Sequence, residues 1–232
     1  MLEIFSLYIS SPNSLDSNII KKTLYFLIEE KVERVTGDEI KTIHCESTHL
    51  TANLVLDSRI DPAFYSDKKA TTLLQHFKGW VINTEKSVFN PKDFVMMDYR
   101  LRDAGTTCFT YVLPYSTTEA LVEFTYFSKD VVSDDTYDKY LKEYISNFLK
   151  IKNYSISKTE QGIIPMTTYR FEQHHQKKLF KIGTAGGWVK PSTGYSFKMS
   201  EKKATQLVDN ILANRELHHH MISKKFRFYD DI

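Results

Sequence analysis

At 232 residues, with 41% hydrophobic and 26% charged side chains, the chain has the composition of an ordinary globular protein able to bury a core in one large domain or two small ones. A formal net charge of +2, carried by dispersed basic residues, gives no sign of a polyanion partner, so nucleic acid is not expected. Cys45 and Cys108 are the only cysteines and lie far apart, which indicates neither a disulfide framework nor a zinc site and fits a reducing cytoplasm.

The N-terminus lacks the basic-then-apolar pattern of a signal peptide, and no apolar run reaches the roughly 18 residues needed to span a bilayer. Membrane contact is therefore expected to be peripheral. The alternation in LYFLIEEKVERV (24–35), EIKTIHCES (39–47) and LTANLVLDSR (50–59) predicts a meander, with a turn at Thr36-Gly37-Asp38 and a boundary near Arg59. DPAFYSDK reads as loop. LLQHFKGWVI (73–82), FVMMDYRL (94–101), TCFTYVLPY (107–115) and EALVEFTYF (119–127) predict one broad sheet, broken by Asn90-Pro91, Asp103–Thr106 and Ser116–Thr118. Ser133, Asp134 and Asp135 supply caps for an amphipathic helix that carries Tyr137, Tyr140, Leu141, Tyr144, Ile145, Phe148 and Leu149 at helical spacing. Three short strands are expected next, YSISKTE (154–160), IIPMTTYRF (163–171) and KLFKIG (178–183), and then a helix from Tyr195 to about Leu212.

The glycines of Lys181–Phe197, KIGTAGGWVKPSTGYSF, stand where a strand should pass into a helix facing an anion. Gly183, Gly186, Gly187 and Gly194 let backbone approach a ligand, Ala185 keeps the strand end small, and Pro191, Ser192 and Thr193 offer a bend and hydroxyl caps ahead of Tyr195. A phosphate or the edge of an isoalloxazine fits such a segment, and so does a plain strand-turn-helix. No G-x-G-x-x-G opens a first βαβ unit in these residues.

Among titratable groups, Glu123 lies between apolar and aromatic neighbours. In a dry cavity its charged form would be disfavoured and it could act as a general acid; on a solvent-facing strand it would be an ordinary surface residue. Glu119, four residues earlier, shares its face. Glu160, just before Gly162, is either a second acid or a turn-stabilising acceptor. His174 with His175, and His218 to His220, are adjacent residues pointing in different directions with no carboxylate at helical spacing, so no metal is expected.

Six segments in order resemble the lycopene cyclase family of carotenoid-forming flavoproteins. They are DSR (57–59), LLQHFKGW (73–80), MDYR (97–100), YVLPYSTTEALVEFT (111–125), EQGIIPMT (160–167) and GTAGGWVKPSTGYSF (183–197). The resemblance implies an α/β fold, an incomplete FAD-binding Rossmann-like domain of the aromatic-hydroxylase type joined to a substrate-binding β-sheet. Expected domains are 1–59, a partial FAD-binding domain; 60–178, a substrate domain; 179–213, the FAD-binding glycine segment and helix; and 214–232, the start of a truncated C-terminal region. The chain thus reads as an internal piece of a longer protein.

The implied reaction is a redox-neutral, acid–base cyclisation of the ends of lycopene, or a related linear carotenoid, to β-ionone rings at a membrane surface. Reduced FAD would act in a non-redox role, with NADPH as its reductant. Glu123 matches the first glutamate of the family's F-L-E-E-T motif and Thr125 its threonine, whereas Phe124 replaces the second acid. Glu123 and Glu160 are the expected catalytic residues. Gly183, Ala185, Gly186, Gly187, Pro191, Thr193, Gly194 and Tyr195 are the expected flavin contacts. Aromatics able to steady a cation are Phe77, Trp80, Tyr111 and Tyr126. The alternatives are an FAD-dependent oxidoreductase acting on an isoprenoid, or an inactive remnant.

Overall fold

The computed structural model describes residues 30–221, so the start of the expected first strand (24–29) and the FRFYDDI tail lie outside the described residues. In chain order the elements are β1 (Val32–Thr36), β2 (Lys41–Cys45), β3 (His49–Ala52), β4 (Val55–Asp57), a short α1 (Ala63–Ser66), β5 (Thr72–Asn83), β6 (Val95–Asp98), β7 (Thr107–Pro114), β8 (Glu119–Ser128), α2 (Asp134–Asn147), β9 (Ser155–Thr167), β10 (Leu179–Lys181) and α3 (Phe197–Leu212). They form two compact units, one of residues 71–167 and one of residues 30–70 with 168–221. Residues 60–70 and 168–178, grouped by the sequence reading with the substrate sheet, belong to the second of these.

In the 71–167 unit five antiparallel strands run in the order β6-β7-β8-β5-β9. Alternation along β8 sends Ala120, Val122, Phe124 and Tyr126 to one face, where they pack with Trp80, Ile82, Cys108 and Val112 against α2. The helix presents Tyr137, Tyr140, Leu141, Tyr144 and Ile145, the spacing of a single apolar stripe. Its tyrosine hydroxyls are partnered as burial demands: Tyr144 donates to Asp98 Oδ2 at 2.6 Å, and Tyr137 bonds to His76 Nδ1. The two strands expected from 154–160 and 163–171 are instead one continuous strand, β9, paired with β5 from Thr72↔Thr167 to Asn83↔Ser155. Gly162 lies within this ladder and not in a turn, because the long β5 offers backbone partners throughout.

The other unit holds the antiparallel meander β1-β2-β3 and a parallel pair, β4 with β10. The expected 50–59 strand is therefore two strands in different sheets. The turn after β1 needs its glycine: Gly37 has φ +85°, and a Cβ there would lie 2.3 Å from the Ile40 carbonyl oxygen. Parallel pairing of β4 with β10 brings together Asp57, Arg59 and Lys181. Asp57 Oδ1 accepts from the Arg59 backbone N–H (3.0 Å) and Nε (2.9 Å), while Oδ2 accepts from Arg59 Nη2 (3.0 Å) and Lys181 Nζ (2.9 Å). Burial alone would raise the Asp57 pKa, yet these bonds outweigh it and hold the carboxyl below its usual range. Asp57→Ala is expected to cost about 3–5 kcal/mol in denaturant unfolding, since it leaves two cations in a buried place without their anion. A loss under about 1 kcal/mol would show that solvent screens the cluster.

Candidate active site

The site face of the five-stranded sheet is the one turned away from α2. Register places Glu160, Gly79, Glu123 and Tyr111 in one row across β9, β5, β8 and β7. Glu160 and Glu123 are two strand spacings apart, about 10 Å between backbones, and any side chain on the strand between them would separate them. Gly79 supplies none. A Cβ built there would come within 3.2 Å of Glu160 Cγ, 3.3 Å of Glu123 Cβ and 2.9 Å of Leu121 Cδ1, so the two carboxyl groups and Leu121 close over the glycine.

Burial raises the Glu123 pKa, and the adjacent Glu160 raises it further by charge and by hydrogen bonding. Thr125, whose hydroxyl donates to Glu123 Oε1 at 3.0 Å, pulls it down, and the balance leaves it at about 7. With a value of about 7, Glu123 keeps its proton in a large share of molecules near neutrality, which an ordinary surface carboxyl does not. Around it the same face carries Val81, Leu121 and Leu113 on one side of the row and Phe77, Thr125 and Phe109 on the other. The site is an acid pair in an apolar, aromatic setting.

The structure thus assigns Glu160 to the interior of β9, beside Glu123, in place of the turn that was the alternative. Glu119 shares the Glu123 face but pairs with Asn83 at the far end of the strand. Phe124, standing where the family motif has a second acid, is fully buried on the opposite face and stacks on Tyr140 at 5.0 Å. An acid there would point away from Glu123. Gly79 and Gly162 escaped the sequence reading, although a lone glycine inside an apolar strand is a signal of close approach.

In the other unit, β10 leads into a short 3-10 turn, Gly183–Gly186, and α3 begins only at Phe197. The helix expected from Tyr195 begins two residues later and ends at Leu212 as expected, and its N-cap, Ser196, makes no side-chain capping bond. The glycines divide by role. Gly186 is a packing glycine, since a Cβ would lie 2.4 Å from the Lys181 carbonyl oxygen, while Gly187 closes the turn at φ +65° and donates to Thr184 O. Gly183, at φ +58°, has nothing within 4 Å of where a Cβ would stand. Pro191 and Thr193 form a second turn in which Thr193 and Gly194 donate to the Lys190 carbonyl, and Lys190 donates to Tyr195 O. Ala185 is buried and Tyr195 half exposed. Gly183 leaves open space beside the turn, so a flat, phosphate-bearing group would meet no side chain there.

The histidines have other partners. His175 stacks on Phe180 at 4.0 Å and its Nδ1 accepts from the Lys181 backbone N–H, while His174 lies beside Tyr169 and Asp61.

The chain is similar in fold to several solved structures. One is a geranylgeranyl bacteriochlorophyll reductase-like protein from Thermoplasma acidophilum, with a TM-score of 0.56 and 13% identity, covering 87% of this chain and 52% of that one. A tetracycline destructase has a TM-score of 0.53 and 10% identity over 87% of this chain and 57% of its own. A flavin-dependent halogenase from Xanthomonas campestris gives 0.50 and 11% over 88% and 39%. The chain spans little more than half the length of the first two. No curated protein sequence matches it. The fold is a mixed α/β one, shared with part of each of these structures. Residues 13–228 match the family described as "Lycopene cyclase protein", and the chain belongs to the lycopene cyclase family.

Proposed function

We propose that the chain carries the acid–base centre of a cyclase that closes the ends of lycopene, or a related linear carotenoid, into rings. The observation behind this reading is Glu123, set beside Glu160 across Gly79 on a largely apolar sheet face and held at about 7 chiefly by burial. A carboxylic acid kept protonated near pH 7 can give its proton to the terminal double bond of a polyene. The π electrons of the neighbouring alkene then close a carbon–carbon bond onto the cation. The new ring cation loses a proton to the carboxylate pair, which restores the starting state. One proton enters and one leaves, and no electrons are gained or lost.

The glycine segment from Gly183 to Tyr195 would hold flavin, with its open turn toward the phosphates. When bound in its reduced form, the flavin supplies negative charge that favours a cation without net electron transfer. The substrate dissolves in membranes, so the working protein is expected at a membrane surface. Among the described residues no helix is long and apolar enough to cross one.

The test is product analysis in lycopene-accumulating cells that express the protein. Cyclised carotenoid of unchanged mass is the expected product. A reduced or hydroxylated product would instead favour the flavin-dependent oxidoreductase reading. Ring formation should also decline as pH rises through about 7, since the acid must carry its proton.

A further inference from the structure

Resting on the cyclisation reading, we propose that the part of the polyene behind its reacting end lies across β7 and β6, on an apolar track made by Tyr111, Leu113, Met96 and Phe94. Register fixes which residues share the acid face there. Val95 pairs with Val112 and, like Val112, packs into the core against α2. Its neighbours Phe94 and Met96 therefore stand on the opposite face, the one that carries Glu123. Continuing the same register sets Met96 beside Tyr111 and Phe94 beside Leu113. Tyr111 is directly opposite Glu123, so the track starts at the acid and reaches Met96 two strand spacings away, about 10 Å between backbones. Fully buried Phe109 meets the Tyr111 ring edge-on at 5.0 Å and backs it from beneath.

Exposure marks this ground as a binding surface. Phe94 is 64% exposed, Met96 53% and Leu113 37%, three large apolar side chains together on one sheet face, where a protein surface ordinarily scatters them singly. The other directions from Glu123 are polar or filled. Toward β9 the face carries Glu160 and Lys158, and the Phe77 ring leans over Gly162, its Cε1 2.7 Å from where a Cβ would stand. Along β8 the face meets Glu119 and Asn83 at one end, and Gln75 and Thr107 flank Phe127 at the other. Trp80 and Tyr126, expected beside the substrate, pack instead in the core against α2. A linear polyene forms no hydrogen bonds and gains only from apolar contact. Lying beside Lys158 or Glu119, it would strip water from a charge and give nothing in return, which leaves the course over β7 and β6.

Met96→Asp, Leu113→Asp, Met96→Leu and Ile163→Asp are compared with the wild type as purified proteins, with reduced FAD and with lycopene in phosphatidylcholine vesicles. The readouts are kcat and KM for ring formation, co-sedimentation with substrate-free vesicles, and melting temperature. Each track variant carrying Asp should raise KM about 10-fold or more while kcat holds within about 2-fold, because the charge must lose its water before the chain can settle. Met96→Leu should match the wild type. So should Ile163→Asp, which puts the same charge at an exposed apolar position of the opposite face. Vesicle binding and melting temperature should not change. Unchanged KM in both track variants would overturn the inference and leave the cyclase reading in place. A KM rise shared by Ile163→Asp, a fall in kcat alone, or a KM rise that follows melting temperature would do the same. A KM rise that follows lost vesicle binding would overturn it too, by assigning the face to lipid. No ring from the wild type would remove the cyclase reading and the track together.

Discussion

Glu123→Gln is expected to reduce ring formation by about 100-fold or more, because glutamine keeps the shape of the side chain and has no proton of suitable acidity to deliver. Flavin binding should be unaffected, since the substitution keeps the size of the side chain and removes only its acidity. The same variant has a stability signature. The carboxyl titrates at about 7 in the folded protein and near 4.5 when unfolded, so between these values the native state binds more protons than the unfolded chain. Stability from this group is complete below about pH 4.5 and falls as pH rises toward 7. Glu123→Gln should flatten that part of the melting-temperature profile and gain in relative stability at the alkaline end. Retained cyclisation would remove Glu123 from the catalytic role, and an unchanged pH profile would show that its carboxyl is not perturbed.

Gly79→Ala is the second large effect, and it tests the pair itself. Glycine inside a strand ordinarily costs about 0.5–1 kcal/mol relative to alanine, so the substitution should be benign if Gly79 were only a strand residue. Here the added methyl meets Glu160, Glu123 and Leu121 at 3.2, 3.3 and 2.9 Å. Leu121 can turn aside, whereas the carboxyls are pressed apart. A shift of a few tenths of an ångström in each glutamate stem is enough to misalign the acids, and ring formation is expected to fall by about 10-fold with little change in melting temperature. The Glu123 pKa should also fall toward the ordinary carboxylate range as its like-charged neighbour recedes. Wild-type activity in Gly79→Ala would mean that the two acids do not work together.

Local pattern in the sequence accounts for much of the fold. The alternation of residues 119–127 and the helical spacing from Tyr137 to Ile145 appear as β8 and α2 because each pattern buries one face whatever the neighbours are. Patterns that depended on a partner were misread. Residues 154–171 divide at Gln161-Gly162 when read alone, yet β5 supplies a ladder that carries one strand through Ser155–Thr167. Residues 50–59 read as one strand, but its second half, β4, is claimed by β10, more than a hundred residues later in the chain. The glycine segment was recognisable as a place for close backbone approach, while the nine residues between Gly187 and Phe197 show that no helix N-terminus stands directly on the Gly183–Gly187 turn.

For the candidate site, the sequence by itself determined which groups have the right chemistry, a glutamate among apolar neighbours and a second one before a glycine, and the resemblance of six ordered segments determined the family. The tertiary structure decided that these two glutamates are partners. That outcome depends on strand order and register, which bring Glu123, Gly79 and Glu160 into one row, and both arise from long-range pairing that no local window of sequence contains. The same register decided that Phe124 faces the core and Phe77 the acids, because along a strand a single residue step exchanges one face for the other.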